Sequence, residues 1–157
     1  MLSAAKKVAE RLRERGESVA VAESSSAGLI AAALLAQPGS SAYFVGGAVV
    51  YTRVAGAELL GLTASDLTGM RSSSEPYAFA LADRVRSRLG ATWGIGETGA
   101  AGPTGNRYGD APGHSCLSVV GTTERSRAME TGSDDREANM QAFAVAALEL
   151  LGEALGD

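Results

Sequence analysis

Residues 18–37 read SVAVAESSSAGLIAAALLAQ, which is a buried strand that leads through a serine turn directly into an apolar helix. Residues 18–23 have the short apolar pattern of a strand, and Pro38-Gly39 ends the helix that follows. A strand followed at once by a helix is the unit from which parallel sheets are built. The stretch therefore predicts an α/β protein with its serine turn at the carboxyl end of a strand.

The pattern on either side of this unit predicts the order α-β-α-β-α-α-β-β-β-α. Further strands are expected over 43–52, 92–97, 115–120 and 125–131. A first helix is expected to stop at Gly16, a short helix to cover 55–60, and later helices to start at Thr63, Ser72 and Asp134. Helical connections favour parallel neighbours, and the late hairpin adds an antiparallel pair. The order predicts a three-layer α/β/α domain with a mixed sheet, and residues 1–157 are expected to form one domain.

Composition excludes several classes of protein. The chain has 157 residues, 45% of them hydrophobic, and a net charge of -4, a balance that argues against intrinsic disorder. The acidic charge gives no general attraction to nucleic acid or anionic membrane, and no apolar run approaches a membrane span of about 18 residues. The N-terminus lacks the apolar core of a signal peptide. We therefore expect a soluble, cytoplasmic protein with neither a nucleic acid nor a membrane as partner.

Groups that can act as bases are scarce. The only histidine is His114, the only lysines are Lys6 and Lys7, and every other cation is an arginine, which stays protonated at neutral pH. The single cysteine, Cys116, excludes an internal disulfide and a cysteine-based zinc site. The sequence implies neither a metal nor a cofactor.

Two segments are candidates for a ligand site, since ligands of α/β sheets bind beyond the carboxyl ends of strands. One is the turn at residues 23–28, and the other is the glycine-rich loop of about sixteen residues over 98–113. Their backbone N–H groups suit a phosphate or a carboxylate. The alternative is structural, because a serine before a helix is usually an N-cap and a glycine-rich loop is often only a connection. His114 has the same two interpretations, as a base or as an ordinary residue at a strand end.

Known catalytic signatures are absent: the sequence has no G-x-S-x-G elbow, no phosphate-binding G-x-x-x-x-G-K-[ST] loop, no H-E-x-x-H and no full G-x-G-x-x-G fingerprint.

Residues 21–34, VAESSSAGLIAAAL, resemble the T-A-E-S-C-T-G-G-L-I-A motif of the CinA C-terminal domain family. Residues 38–52, PGSSAYFVGGAVVYT, are similar to that family's P-G-S-S-A-Y-F-x-G-G-V-V-x-Y-S segment. The motif Thr98-Gly-x-Ala-Gly-Pro103 and the run Asp135-Arg-Glu137 continue the resemblance in register, so that it covers about residues 5 to 152.

The resemblance implies an α/β/α fold and a nicotinamide-nucleotide amidohydrolase, which converts nicotinamide mononucleotide to nicotinate mononucleotide and ammonia. By this resemblance Ser24 attacks the carboxamide, the backbone around Ser25, Ser26 and Gly28 holds the oxyanion, and Tyr51 orients the nucleophile or the substrate. Thr98 and the loop glycines are expected to face the amide or the ribose phosphate, and Arg136 to anchor phosphate. The loop glycines are Gly99, Gly102 and Gly105.

The chain departs from the family at two functional positions. The family continues Y-S-N-E-A-K after the second strand, and the resemblance implies that this lysine is the general base. Gly56 stands at that position here. Met140 stands where the family carries a second arginine. Loss of a base typically costs 10²–10⁴ in rate.

Three hypotheses follow. In the first, the chain is a working amidohydrolase in which His114 replaces the lysine, as its ordinary pKa near 6.5 would allow. In the second, it is a catalytically silent module that keeps the pocket and binds a nucleotide-like ligand. In the third, the pocket serves a different amide or ester. The apolar helix over 29–35 is buried in the core or against a second copy, which leaves a homo-oligomer open.

Overall fold

The computed structural model describes residues 1–156 and contains five α-helices, one 3-10 helix (Ser40–Ala42) and five strands in that range. The strands are β1 (Val19–Glu23), β2 (Phe44–Val49), β3 (Trp93–Ala100), β4 (His114–Val120) and β5 (Glu124–Glu130). The helices are α1 (Leu2–Arg15), α2 (Leu29–Leu35), α3 (Arg53–Leu60), α4 (Glu75–Leu89) and α5 (Arg136–Ala154).

The strands form one mixed sheet in the order β2-β1-β3-β4-β5. β1 pairs in parallel with β2 and with β3, whereas β4 and β5 are antiparallel to their neighbours. The predicted α/β fold with a mixed sheet is confirmed. The carboxyl ends of β1 and β2 are level with Glu97 of β3. The segments that follow these three strands therefore lie together at one edge of the sheet.

Alternating side chains of β1 pack into two different hydrophobic cores, one on each face of the sheet. Val19 and Val21 pack with α1, α2 and α5, whereas Ala20 and Ala22 pack on the opposite face with α3 and α4. This period of two is the reason why a strand can be buried on both faces. The result is a helical layer on each side of the sheet, with the serine turn held between them.

Helix α4 lies unusually close to β3, because two strand residues that face it are glycines. A Cβ on Gly94 or Gly96 would lie 2.0 Å from a backbone carbonyl oxygen of α4, a contact that real Cβ atoms do not make. The close packing fixes the height of α4 over the sheet. It therefore also fixes residues 72–74, which immediately precede the helix.

Most predicted boundaries agree with the structure. Gly16 ends α1 in a left-handed conformation, and Ser74 and Asp135 cap α4 and α5 with their side chains. The helix start predicted at Thr63 is wrong. Thr63 and Asp66 do exchange the hydrogen bonds of a capping box, but the segment after them forms turns. The predicted strand end at Glu97 is also too early, because pairing with β4 extends β3 to Ala100.

Candidate functional site

Two adjoining cavities lie at the carboxyl edge of the parallel strands. The Ser24 cavity, of about 260 Å³, has walls from Ser24, Ser73, Thr98 and the start of α3. The Ser25 cavity, of about 190 Å³, has walls from Ser25 and the loop after β3. The two cavities share Tyr51, Gly99 and Asn106 and form one cleft. A larger groove of about 330 Å³ lies between α1 and α5, but none of the predicted site residues lines it.

The serine turn is organised around the carboxylate of Glu97, which is fully buried. The amides of Ser24 and Ser26 donate to Glu97 Oε2 at 3.0 and 2.9 Å, and the hydroxyl of Ser25 donates to Oε1. The Ser26 hydroxyl lies 2.9 Å from Oε2, and the Ser115 hydroxyl donates to Oε1 at 3.0 Å. Four of these groups donate to the buried carboxylate, and Ser26 gives its single hydroxyl proton to Glu23. Several donors are how a buried charge is satisfied in a protein interior.

A second buried carboxylate, that of Glu23, occupies the start of α2. Its oxygens accept hydrogen bonds from the amides of Ile30 and Ala31 at 3.1 and 3.0 Å, and from the Ser26 hydroxyl at 2.6 Å. Burial raises the pKa of Glu23, although the hydrogen bonds from Ser26 and the two amides act in the opposite direction. The predicted anion site in this turn is therefore filled by two carboxylates of the protein itself. Ser26, fully buried between them, lines neither cavity.

Ser24 differs from the two serines that follow it. It lines the Ser24 cavity, and within residues 1–156 no side chain or backbone group is hydrogen-bonded to its hydroxyl. Ala27 donates its amide to the Ser24 carbonyl and is not available to an oxyanion. Gly28 lines neither cavity; its φ of 99° serves the sharp entry into α2.

Thr98 and His114 hold the other wall of the Ser24 cavity. The Thr98 hydroxyl accepts the amide of Ser73 at 3.1 Å, and His114 Nε2 lies 3.0 Å from the Ser73 carbonyl oxygen. Ser73 is a buried non-glycine residue with a φ of 58°, a conformation that persists only where its surroundings impose it. Thr98 and His114 impose it here, one at each side of the residue.

His114 makes no contact with Ser24. Its Nδ1 lies 2.5 Å from a carboxylate oxygen of Glu130, and its other ring nitrogen faces Ser73. Burial alone would lower the pKa of His114, but the hydrogen bonds to Glu130 and to the Ser73 carbonyl, with Asp110 nearby, raise it above its ordinary value. Both ring nitrogens are thus engaged on the side of the sheet that faces α4. The hypothesis that His114 is the base for Ser24 is therefore not supported by a contact between the two side chains.

Tyr51 and Arg136 meet over the Ser25 cavity. Arg136 donates to the Gly102 carbonyl at 2.5 Å and to the Tyr51 hydroxyl at 3.4 Å. Tyr51 is 61% exposed, so its ring forms part of the rim. Gly99, Gly102 and Gly105 line the same cavity. The structure thus brings these predicted residues together with Ser25, whereas Ser24 and Thr98 belong to the Ser24 cavity.

Several lining residues were not predicted from the sequence. Arg53, Arg107 and Tyr108 line the Ser24 cavity, and the guanidinium of Arg107 lies 5.0 Å from the centre of the Tyr108 ring. Glu97, which holds the serine turn, was likewise not among the predicted site residues. A charged residue within an otherwise apolar strand is the signal that would have singled it out, because such a charge needs an internal partner.

The sequence of this chain is similar to those of known proteins. The CinA C-terminal domain family matches residues 1–155. The chain belongs to the CinA family. A CinA-like protein of Anaeromyxobacter sp. (strain K) is 39% identical over 148 residues, and one of Synechococcus sp. (strain CC9902) is 43% identical over 110 residues. These alignments cover 94% and 70% of this chain but only 36% and 26% of the relatives, so the chain spans about a third or less of their length.

Solved structures of the CinA superfamily agree over nearly the whole chain. A CinA-superfamily protein from Klebsiella pneumoniae 700603 superposes with a TM-score of 0.91 at 28% identity, covering 98% of this chain and 96% of its own. A competence/damage-inducible protein from Agrobacterium tumefaciens gives 0.90 at 30% identity and covers 99% and 95%. The predicted family and fold are therefore confirmed.

The described residues contain neither a membrane-spanning helix nor a metal-binding cluster. None of the helices within residues 1–156 is long and apolar enough to cross a bilayer. In the same range no cluster of three histidine, cysteine, aspartate or glutamate side chains is arranged to hold a metal ion.

Proposed function

We propose that this CinA-family chain hydrolyses the carboxamide of nicotinamide mononucleotide through a serine of the turn at residues 24–26. The observation that carries the proposal is the cleft itself. Within the described chain, three arginines and a cluster of hydroxyl groups line its two cavities, and no carboxylate does. In a protein with a net charge of -4, such a lining favours an anionic ligand.

The arginines suit a phosphate group. Arg53 and Arg107 line the Ser24 cavity and Arg136 lines the Ser25 cavity. A guanidinium carries five N–H donors, and Arg53 commits one to the Met70 carbonyl at 3.0 Å. Arg107 commits one donor to the Tyr108 hydroxyl at 2.9 Å, and Arg136 donates to the Gly102 carbonyl and the Tyr51 hydroxyl. The donors that remain can bind a phosphate, for which arginine offers paired, charge-assisted hydrogen bonds.

One tyrosine suits the rings of a nucleotide. Tyr51, Tyr77 and Tyr108 contribute to the walls of the Ser24 cavity. The guanidiniums of Arg53, Arg71 and Arg107 lie over the rings of Tyr77 and Tyr108, whereas the ring of Tyr51 is largely exposed. The face of Tyr51 can pack against a flat ring, and a positively charged pyridinium ring is attracted to such a face. Phosphate donors and an aromatic face in one cleft match the two ends of nicotinamide mononucleotide.

The chemistry needs a serine oxygen, a proton acceptor and donors for the oxyanion. By the family resemblance Ser24 supplies the oxygen. Within the described residues, the amide of Ser25 has no intramolecular acceptor and is the candidate oxyanion donor of this turn. The acyl-enzyme formed after ammonia leaves would then be hydrolysed by water.

A second candidate function, ligand binding without hydrolysis, is favoured by the missing base. The family's lysine position is Gly56, a buried residue of α3, and both lysines of the chain lie exposed on α1. The Ser24 hydroxyl has no partner within residues 1–156, and His114 is engaged elsewhere. An unassisted serine is a weak nucleophile, so the same cleft would bind a mononucleotide and leave it intact.

Ammonia release from nicotinamide mononucleotide separates the two functions. The native protein is compared with a Ser24→Ala/Ser25→Ala double variant and with Ser118→Ala, a matched control that removes a buried hydroxyl bonded to Ser126. Release by the native protein and the control, but not by the double variant, supports hydrolysis. Release that persists in the double variant refutes it.

A gain-of-function variant tests the binding candidate. In Gly56→Lys, the added Cβ would make ordinary contacts, at 3.6 Å from Leu62 and 4.0 Å from the hydroxyl of Tyr77, which itself lines the Ser24 cavity. Calorimetric binding of the mononucleotide without release, together with release regained in Gly56→Lys, supports the silent module. Absence of binding excludes both functions for this substrate.

A further inference from the structure

The hydroxyl of Ser25, rather than that of Ser24, has a base beside it. Ser25 donates its hydroxyl hydrogen bond to Glu97 Oε1 and contributes to the wall of the Ser25 cavity. Ser24 lies in the neighbouring cavity with no group bonded to its hydroxyl among the described residues. A nucleophile within hydrogen-bond reach of a base, with the base itself oriented by a third group, is the arrangement that activates serine.

Ser115 is the group that orients the base. Its hydroxyl donates to Glu97 Oε1 at 3.0 Å and lies 3.3 Å from the carbonyl oxygen of Thr98, which is a second acceptor. The two oxygens of Glu97 therefore differ. Oε2 is held by two backbone amides, which cannot turn away, whereas the partners of Oε1 are hydroxyls that rotate.

This asymmetry makes Oε1 the oxygen that can accept a proton. When Ser115 turns its hydroxyl toward Thr98, Oε1 keeps only its contact with Ser25. The amides of Ser24 and Ser26 still hold Oε2, so the carboxylate stays in place while its charge changes. The side chain is fully buried and lines neither cavity, so Oε1 reaches the cleft only at the Ser25 hydroxyl.

We propose that Ser25 and Glu97 form a nucleophile–base pair, positioned by Ser115, which supplies the base that this chain lacks at Gly56. The Ser25 Oγ attacks the carbon of an amide or a comparable electrophile, and its proton passes to Glu97 Oε1. Collapse of the intermediate breaks the carbon–nitrogen bond, and the proton passes from Oε1 to the nitrogen, which leaves as ammonia. Water then attacks the ester, gives its proton to Oε1, and restores Ser25 as the acid product leaves.

The pair rests on the proposed function for its substrate alone, so it is tested with a probe that needs no substrate recognition. The probe is diisopropyl fluorophosphate, which forms an oxygen–phosphorus bond with an activated serine and releases fluoride, while the serine proton passes through the base to water. Trypsin leaves both serines in one peptide, residues 16–53, because no lysine or arginine lies between. Fragmentation mass spectrometry of that peptide then locates the adduct on one of them.

The expected adduct is on Ser25 in the native protein and persists in the Ser118→Ala control. It is lost in Ser25→Ala and in Glu97→Gln, and the circular dichroism spectrum shows whether each variant is folded. An adduct on Ser24, or no adduct on either serine of the native protein, overturns the pair.

A purely structural tie between Ser25 and Glu97 predicts a different result. It would change stability in the variants but would not direct the probe to Ser25 in the native protein. An adduct on Ser25 without ammonia release from nicotinamide mononucleotide leaves the pair standing and refutes the proposed substrate. Ammonia release with the adduct on Ser24 does the reverse.

Discussion

Replacing Glu97 separates the role of its acceptor oxygens from the role of its charge. In Glu97→Ala the amides of Ser24 and Ser26 lose their acceptor inside the protein. A buried donor left unsatisfied costs about 1–3 kcal/mol, so the two amides together cost about 2–6 kcal/mol of the free energy of unfolding. A domain of this kind has about 5–15 kcal/mol in total, so the loss is large.

Glu97→Gln is expected to cost less. Both amides donate to the same oxygen, Oε2, so the glutamine oxygen can take that place and keep both bonds. Its NH₂ group would then face the hydroxyls of Ser25 and Ser115, which can accept as well as donate. The charge assistance is lost, about 2–3 kcal/mol for the two amide bonds together, while both donors stay paired.

Urea unfolding at pH 7, followed by far-ultraviolet circular dichroism, measures both variants beside Ser118→Ala. The Ser118→Ala variant calibrates the cost of removing one buried hydroxyl, since Ser118 pairs with Ser126 through a neutral bond of 2.7 Å. Equal losses in the two Glu97 variants, or a loss below about 1 kcal/mol in Glu97→Ala, would refute the argument from acceptor geometry.

Three further expectations follow from single positions. Gly96→Ala should lower the urea midpoint strongly, because its Cβ would lie 2.0 Å from the α4 backbone, and an unchanged midpoint would contradict the close packing. Gly56→Ala, whose Cβ has room, should instead stabilise α3 by up to about 1 kcal/mol. Burial raises the pKa of the Cys116 thiol to about 11, so iodoacetamide at pH 8 should alkylate it only after unfolding, and rapid alkylation of the native protein would count against this. The raised pKa of His114 means that its contribution to stability is complete below about pH 6.5 and is lost as the pH rises through the folded-state pKa. Glu130→Gln should therefore reduce the difference between urea midpoints at pH 6 and pH 9, and an unchanged difference would argue against the pairing.

Part of the candidate site was predictable from local sequence. The turn after β1 and the loop after β3 follow strands that the apolar pattern indicates, and parallel pairing brings such strand ends together. Ser24, Tyr51, Thr98 and Arg136 were named on the family resemblance, and each lines one of the two cavities. What each side chain contacts was not predictable, because those contacts join residues far apart in the chain.

The sequence by itself determined most of the elements and their order. Apolar periodicity, capping serine and aspartate side chains, and glycines with left-handed φ act over a few residues, so the chain carries these signals locally. The family resemblance rests on the same local motifs. The lack of a lysine near the second strand was equally plain from the residues alone.

The tertiary structure alone decided which charges meet. Register between β1 and β3 sets Glu23 opposite Glu97, and the turn after β1 folds its amides and hydroxyls onto the second carboxylate, more than seventy residues away. The same packing turns His114 toward Ser73 and Glu130 instead of Ser24. A buried charge must find partners wherever the fold places them, and only the folded chain shows that the serine turn binds the protein's own carboxylates.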